Sequence, residues 1–202
     1  MGIMSWNKSE RLNNKLKILT DKNGDKIVVI SDKLFTNTKI RNKYGEVAKA
    51  IKNIFAELEE SSIIINDNKK EVFFDKFTAD EYLRSRDTTF SKPRNKTAKI
   101  NAVKEIKKIV ENAKYLSHME LFKSKKDAKE KRKIDASKGF DYYKVKFAFE
   151  KESGAYQVFD GILNVRIDRN DKNFVYDITK ISELQLASGN PLSMSTENSD
   201  IL

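Results

Sequence analysis

The period of the hydrophobic residues changes from 3.6 to 2 at about Tyr142, and this change constrains the fold more than any other feature of the chain. Beyond this point Tyr143, Val145, Phe147 and Phe149 alternate with mostly polar residues, as they do in a strand with one buried face. Two more alternating segments follow after short polar connections. The sequence therefore predicts an antiparallel meander of three strands, Tyr142–Glu150, Tyr156–Ile167 and Asn173–Ile181.

An amphipathic helix precedes the meander. Apolar residues recur at three- and four-residue steps, at Ile100, Val103, Ile106 and Val110. This spacing predicts a helix over Thr97–Leu116 whose apolar face packs on the sheet. Its opposite face is predicted to be solvated and basic, with Lys99, Lys104, Lys107 and Lys108.

The N-terminal part contains two predicted hairpins and a helix. Asn23-Gly24 is a strong turn signal between two short apolar segments. The apolar spacing in Tyr44–Glu60 predicts a helix, and Asp67-Asn68 marks the turn of a second hairpin. The predicted organisation is an extension over residues 1–60, a main domain over 61–186 and a Ser/Asn-rich, disordered tail over 187–202.

Together these elements predict an α+β fold. Its helices pack on one face of an antiparallel β-sheet, and a small N-terminal α/β extension precedes them.

The net charge is concentrated in one part of the chain. Lys92 to Lys146 holds 18 Lys/Arg and 7 Asp/Glu, whereas the whole chain holds 40 and 30 for a net charge of +10. Such a block attracts polyanions, of which nucleic acid is the commonest in a cell. Aromatic residues such as Phe140, Tyr142 and Tyr143 interrupt it and suit the stacking of unpaired bases. The alternative is a solvated basic surface without a specific ligand.

The composition excludes several kinds of site. The chain has no Cys and a single His, His118, which rules out disulfides, thiolate zinc sites and mechanisms that need two histidines. No paired carboxylates at metal-ligand spacing and no phosphate-binding glycine loop are evident, so we expect neither a metal nor a cofactor. No apolar run reaches 18 residues and no signal peptide is evident. We therefore expect a cytoplasmic protein without membrane contact.

Four segments resemble successive parts of a known domain family. They are EVFFDKFTADEYLRS, KINAVKEIKKIVENAKYLSH, GFDYYKVKFAF and GILNVRIDRNDKNFVYDITKI. Their order and short patterns resemble a large polyvalent-protein-associated domain of phage and mobile-element proteins, which is placed with the barnase–EndoU–colicin–RelE-like ribonuclease fold. The resemblance covers roughly residues 71 to 181. It implies a helical layer on one sheet face, RNA on the open face, delivery by phage into a host cell, and, in members that are enzymes, RNA cleavage without metal.

Five residues are candidates for catalysis. His118 is the natural acid–base group, because its unperturbed pKa lies near neutrality; alternatively it is a surface histidine at a helix end. Arg166, Lys144 and Lys146 are expected to share the open sheet face and to stabilise a phosphate, or to serve as solubility residues. Tyr176 is expected to position the substrate. A slip of one residue would exchange it with Asp177 and Thr179, because strand side chains alternate.

Further basic residues are candidate nucleic-acid ligands: Arg84, Arg86, Arg94, Lys125, Lys126, Lys131, Arg132 and Lys133. The sequence predicts an RNA-interacting domain of phage or mobile-element type, with a metal-independent ribonuclease toxin as its catalytic form. The expected partners are RNA or single-stranded nucleic acid, with a host defence protein or a cognate immunity protein as further ones. The alternative is a non-catalytic, phage-encoded inhibitor or anti-defence protein that binds a host nucleoprotein through its basic face.

Overall fold

The computed structural model describes residues 17–59, 61–84, 93–120 and 136–184, together with the backbone of 193–195. The strands are β1 Lys17–Thr20, β2 Lys26–Ile30, β3 Ser62–Ile64, β4 Glu71–Phe73, β5 Lys114–Met119, β6 Phe140–Glu150, β7 Tyr156–Ile167, β8 Asn173–Glu183 and β9 Ser193–Ser195. The helices are α1 Asn37–Asn42, α2 Tyr44–Ala56, α3 Thr78–Arg84, α4 Pro93–Ala102 and α5 Ile106–Glu111, with a 3-10 turn at Val103–Glu105. Within these ranges no helix combines the length and apolar character needed to cross a membrane.

The predicted fold class, helices packed on an antiparallel sheet, is wrong. The three-stranded meander predicted within that sheet is confirmed. Strands β6, β7 and β8 pair antiparallel in chain order. However, β2 pairs parallel with β6, and β4 pairs parallel with β8. The described strands form one curled mixed sheet in the order β3-β4-β8-β7-β6-β2-β1-β9, with β5 also on β6. Parallel pairs join segments that are far apart in the chain, so local periodicity could not reveal them.

Both predicted hairpins are confirmed, but they belong to this sheet. The first turn contains Gly24 at φ +78°, where a residue with a Cβ would be strained. Strand β2 reads Lys-Ile-Val-Val-Ile, and its apolar side chains are buried on both faces. A strand buried on both faces is typical of a sheet interior, which is why β1 and β2 are continuous with the main sheet.

The helix predicted over Thr97–Leu116 ends earlier than expected. It is divided by the 3-10 turn and ends at Glu111, where the Asn112 side chain donates to the Lys108 carbonyl at 2.9 Å. The next residues form β5, which pairs antiparallel with β6. Pairing with β6 therefore overrides the helical periodicity of this segment.

The tail also differs from the expectation of disorder, because Ser193–Ser195 pairs antiparallel with β1. The remaining predicted tail positions, from 187, lie outside the described residues.

The helices cover one face of the sheet and form the main core with it. Ile100, Val103, Ile106 and Val110 are buried there, as predicted. Lys99 departs from the prediction, since it is completely buried and its Nζ lies 2.5 Å from Asp177 Oδ1. The other face carries a small apolar cluster, Leu19, Ile27, Val29, Ala148 and Val158.

Truncation of Ile106 tests this core. Ile106 is 2% exposed, so Ile106→Ala is expected to lower the free energy of unfolding by about 2–5 kcal/mol, because apolar burial is reduced and a cavity forms. Urea unfolding followed by circular dichroism measures the change. The neighbouring exposed Lys107→Ala is the control and should change it by less than about 0.5 kcal/mol. Equal effects of the two variants would contradict the packing.

Candidate functional site

The structure does not bring the five predicted catalytic residues together. Lys144, Lys146 and Arg166 lie on the sheet face away from the main core, as expected from the alternation along β6 and β7. His118 instead contacts Asp141, which has the same alternation as the core residues Tyr143 and Val145. The histidine and the three cations thus lie on opposite faces of the sheet.

The two lysines of β6 are bound by carboxylates of the first hairpin turn. The Nζ atoms of Lys144 and Lys146 each lie 2.9 Å from Asp25 Oδ2, and Lys114 Nζ lies 3.2 Å from Asp25 Oδ1. Lys146 also pairs with Asp21. Burial alone would raise the pKa of Asp25, but hydrogen bonds from the three lysines hold it well below its ordinary value. These lysines therefore anchor the β1–β2 turn to β5 and β6.

Arg166 is likewise held by a carboxylate. Its guanidinium pairs with Asp75 and lies 4.1 Å from the ring centroid of Phe174. Asp75 also accepts hydrogen bonds from the Phe77 and Thr78 amides at 3.0 and 3.1 Å, just before α3. Arg166 thus connects β7 to the start of a helix, while its side chain is only 5% exposed.

An irregularity in the pairing of β8 with β7 determines which side chains of β8 face the helices. The register shifts between Asn164 and Val165, so that Asn164 is opposite Asp177. Asp177 turns toward the helices and pairs with Lys99. Tyr176 lies on the other side, with its hydroxyl 2.8 Å from Glu81 and its ring 5.2 Å from that of Phe140.

His118 belongs to a second cluster, most of which the sequence did not reveal. Its Nδ1 lies 2.8 Å from Oδ1 of Asp141, a residue that is 2% exposed. The other carboxylate oxygen accepts from Lys70 and lies 3.5 Å from the Tyr143 hydroxyl. Asn68 donates to that hydroxyl at 3.1 Å. We call His118, Asp141, Lys70, Tyr143 and Asn68 the His118 cluster.

Local structure explains how the His118 cluster forms. His118 is directly opposite Asp141 in the β5–β6 register. The turn between β3 and β4 approaches β5, where Asp67 accepts from the Tyr115 amide at 2.9 Å. This contact brings Asn68 and Lys70, from the same turn, up to β6.

The cluster has the features of an acid–base site. A buried carboxylate fixes the orientation of a half-exposed imidazole through Nδ1, and Nε2 has no hydrogen-bond partner among the described residues. A group oriented in this way can transfer a proton at Nε2. Burial raises the pKa of Tyr143 to about 12, with a further contribution from Asp141, so its hydroxyl stays protonated at neutral pH.

The predicted nucleic-acid ligands are only partly described. Arg84 is exposed at the end of α3. The Arg94 side chain is 70% exposed, and its Nη1 lies 2.7 Å from Glu183. The other predicted ligands lie outside the described residues: Arg86, Lys125, Lys126, Lys131, Arg132 and Lys133.

Comparison with known proteins gives no relative: no family model, curated protein or solved structure matches the chain. The resemblance to the polyvalent-protein-associated domain therefore stays a prediction. In the part of the chain that the structure describes, no group of three or more His, Asp or Glu residues is arranged to hold a metal ion.

The lysine–carboxylate contacts predict how stability depends on pH. The pKa of Asp25 in the folded protein lies below its ordinary value of 3.8. The contribution of ionised Asp25 to the stability of the folded protein is therefore complete above that pH. It is lost as the pH falls toward the folded-state pKa. Asp25→Asn is expected to lower the free energy of unfolding by on the order of 3 kcal/mol near neutral pH, because Lys146 loses a buried acceptor.

Urea unfolding at a series of pH values measures this effect. The difference between wild type and Asp25→Asn should narrow by about pH 3, where the unfolded wild type takes up a proton. Asp171→Asn is the matched control, because Asp171 pairs with Lys138 at the exposed surface. This substitution should change the free energy of unfolding by less than about 1 kcal/mol. A difference that stays constant with falling pH would contradict the assignment.

Proposed function

We propose that the protein binds RNA and cleaves it without a metal, with His118 as its acid–base residue. The observation that carries the proposal is the contact between His118 Nδ1 and the buried Asp141, which leaves Nε2 available on an exposed strand. We also propose that the protein acts in the cytoplasm of a host cell and originates from a phage or mobile element, as the resembling segments imply.

The surroundings of His118 support an anionic substrate. All six residues of β5 are exposed, and β5 leads through Glu120 into residues 121–135, which contain 7 Lys/Arg and 3 Asp/Glu. Lys70 and Asp141 balance each other in charge. Proton uptake by His118 therefore gives the cluster a net positive charge, which favours the phosphate that develops negative charge during cleavage.

The proposed reaction is an internal transesterification. His118 Nε2 takes the proton of a 2′-hydroxyl, the 2′-oxygen bonds to phosphorus, and the bond to the 5′-oxygen breaks. Tyr115, opposite Tyr143 in the β5–β6 register, donates a proton to the leaving 5′-oxygen. The products are a 2′,3′-cyclic phosphate and a 5′-hydroxyl, and Tyr115 is then reprotonated as His118 releases its proton.

Substitution of His118 tests the catalytic role. His118→Gln retains a side chain that can bond to Asp141 but cannot accept the proton, so cleavage should fall by about 10²–10⁴-fold while RNA affinity is kept. The measurement is cleavage of purified total RNA in EDTA, with sequencing of the cut ends and detection of cyclic phosphates. Lys138→Gln, on the exposed surface at the start of β6, is the control and should cleave like wild type.

The outcomes separate the roles. If His118→Gln cleaves normally, the assignment of His118 is wrong. If wild-type protein binds RNA but leaves it intact for hours, the cleavage hypothesis is wrong and a binding function remains.

Salt dependence tests the binding itself. Replacement of Lys125, Lys126, Lys131, Arg132 and Lys133 by Ser should weaken binding to all single-stranded RNA sequences alike. It should also reduce the slope of log affinity against log salt by about 0.7 for each phosphate that the variant no longer neutralises. The control removes five exposed cations elsewhere, Lys22, Lys39, Arg41, Lys43 and Lys49, and so changes the net charge equally. Equal effects in both proteins would show that only net charge matters.

One observation favours a second candidate, a non-catalytic inhibitor of a host nucleoprotein. The outer edge of β5 pairs with no other described strand, and Tyr115, Leu116 and Met119 are exposed on it. An exposed edge of this kind can accept an extended segment of a partner protein. RNA that stays intact in EDTA, together with a stable complex with a host protein, would support this candidate.

A further inference from the structure

A row of residues crosses five strands on the face away from the main core. Phe73 of β4 is opposite Phe174 of β8, which is opposite Arg166 of β7. Arg166 is opposite Phe140 of β6, and Phe140 is opposite Met119 of β5. We call these five residues the cross-sheet row. They are distant in sequence, and only the mixed order of the sheet makes them neighbours.

The row is a set of rings and cations in contact. The centroids of Phe73 and Phe174 are 6.2 Å apart, and Arg166 lies 4.1 Å from the Phe174 centroid. Lys172 Nζ lies 4.1 Å above the ring of Phe73. The Tyr176 ring extends the row at 5.2 Å from Phe140.

The rings are accessible. Phe73, Phe174, Phe140 and Tyr176 are half-buried, and Met119 is 55% exposed. Arg166 is buried among them, with its guanidinium against the ring face of Phe174.

We propose that the cross-sheet row is a stacking platform for the unpaired bases of single-stranded RNA; this rests on the proposed function and adds a binding site on the sheet face opposite His118. Each base offers a flat π-face to an aromatic ring, and stacking of this kind tolerates any sequence. Arginine and lysine beside aromatic rings add cation–π contacts.

Charge favours RNA over an apolar protein segment as the ligand. Lys172 stands over the row and is exposed, and an apolar segment would bury its charge, whereas a phosphate backbone would pair with it. Beside the row, Asp75 is neutralised by Arg166, and Glu81 accepts a hydrogen bond from the Tyr176 hydroxyl. Residues 121–135, which begin two positions after Met119 and end five positions before Phe140, contain 7 Lys/Arg and 3 Asp/Glu.

The test compares two rings in similar surroundings. Phe73 lies under Lys172 at 4.1 Å in the row, and Tyr44 lies under Lys96 at 4.2 Å on α2. The probe is a fluorescein-labelled single-stranded 12-nucleotide oligo(A) RNA, and affinity is measured by anisotropy. Phe73→Leu and Phe140→Leu should each weaken binding by about 5- to 150-fold. Tyr44→Leu should bind like wild type.

Two further properties identify stacking. Phe73→Tyr keeps the ring and should keep the affinity. The slope of affinity against salt should be unchanged in the Leu variants, because every cation is retained. Ring variants that bind RNA like wild type would overturn the platform. If light scattering shows that wild-type protein self-associates and that these variants do not, the row is a protein interface instead.

Photochemistry provides a test in the wild-type protein and does not depend on how the variants fold. Single-stranded RNA with 5-iodouridine should cross-link to peptides that contain Phe73, Phe140 or Phe174. Cross-links confined to other peptides would overturn the platform. If wild-type protein does not bind single-stranded RNA at all, the proposed function fails together with the platform. If wild-type protein binds RNA and the ring substitutions leave its RNA affinity unchanged, the platform alone fails.

Discussion

Backbone pairing along β6 is the constraint on which both candidate sites depend. This strand pairs with β7 along its whole length on one edge. Its other edge is shared by β5 and β2, which lie end to end, β5 against Phe140–Lys144 and β2 against Phe147–Phe149. Because side chains alternate along a strand, this one segment supplies Asp141 to one face and Phe140 to the other. A shift of β6 by one residue would exchange the two faces and remove both sites.

Carboxylates decide which cations of the basic block can reach a ligand. Asp25 binds three lysines of the block, Lys114, Lys144 and Lys146, and Asp177 binds Lys99. Outside the block, Asp75 and Asp141 pair with Arg166 and Lys70. A buried charge without a partner is costly, so each of these pairs must form when the sheet forms. The block that stands out in the sequence is therefore partly structural. The cations of residues 121–135 stay candidates for contact with phosphates, as does the exposed Lys172 outside the block.

The sequence predicted those structural elements that depend on residues close together in the chain. The meander, the two hairpins and the buried face of α4 and α5 follow from local periodicity and turn residues, and they were predicted correctly. The parallel pairs of β2 with β6 and of β4 with β8 were not, because such pairing leaves no local pattern. The first half of β5, up to Leu116, was predicted as helix, because its apolar spacing continues that of α5 and only the contact with β6 decides otherwise.

The His118 cluster shows which signal was overlooked. His118 was predicted as a functional residue because of its chemistry, but its partners were not. Asp141 has the same alternation as Tyr143, Val145, Phe147 and Phe149, so a carboxylate was placed on the buried face of a strand, where it needs partners. That conflict predicts a polar cluster at Asp141. The identity of Lys70 as one partner could not be predicted, because it lies 71 residues away in the chain.

The two proposed sites are related through the edge strand β5. His118 and Met119 are neighbours in β5, and their side chains lie on opposite faces, one in the His118 cluster and one in the cross-sheet row. The outer edge of β5 is a short path for an RNA that contacts both. A single strand can bend in this way, whereas a duplex is stiff on this scale and keeps its bases stacked inside. The two proposals together therefore predict single-stranded RNA as the ligand, with its bases held on one face and the phosphate beside His118 positioned on the other.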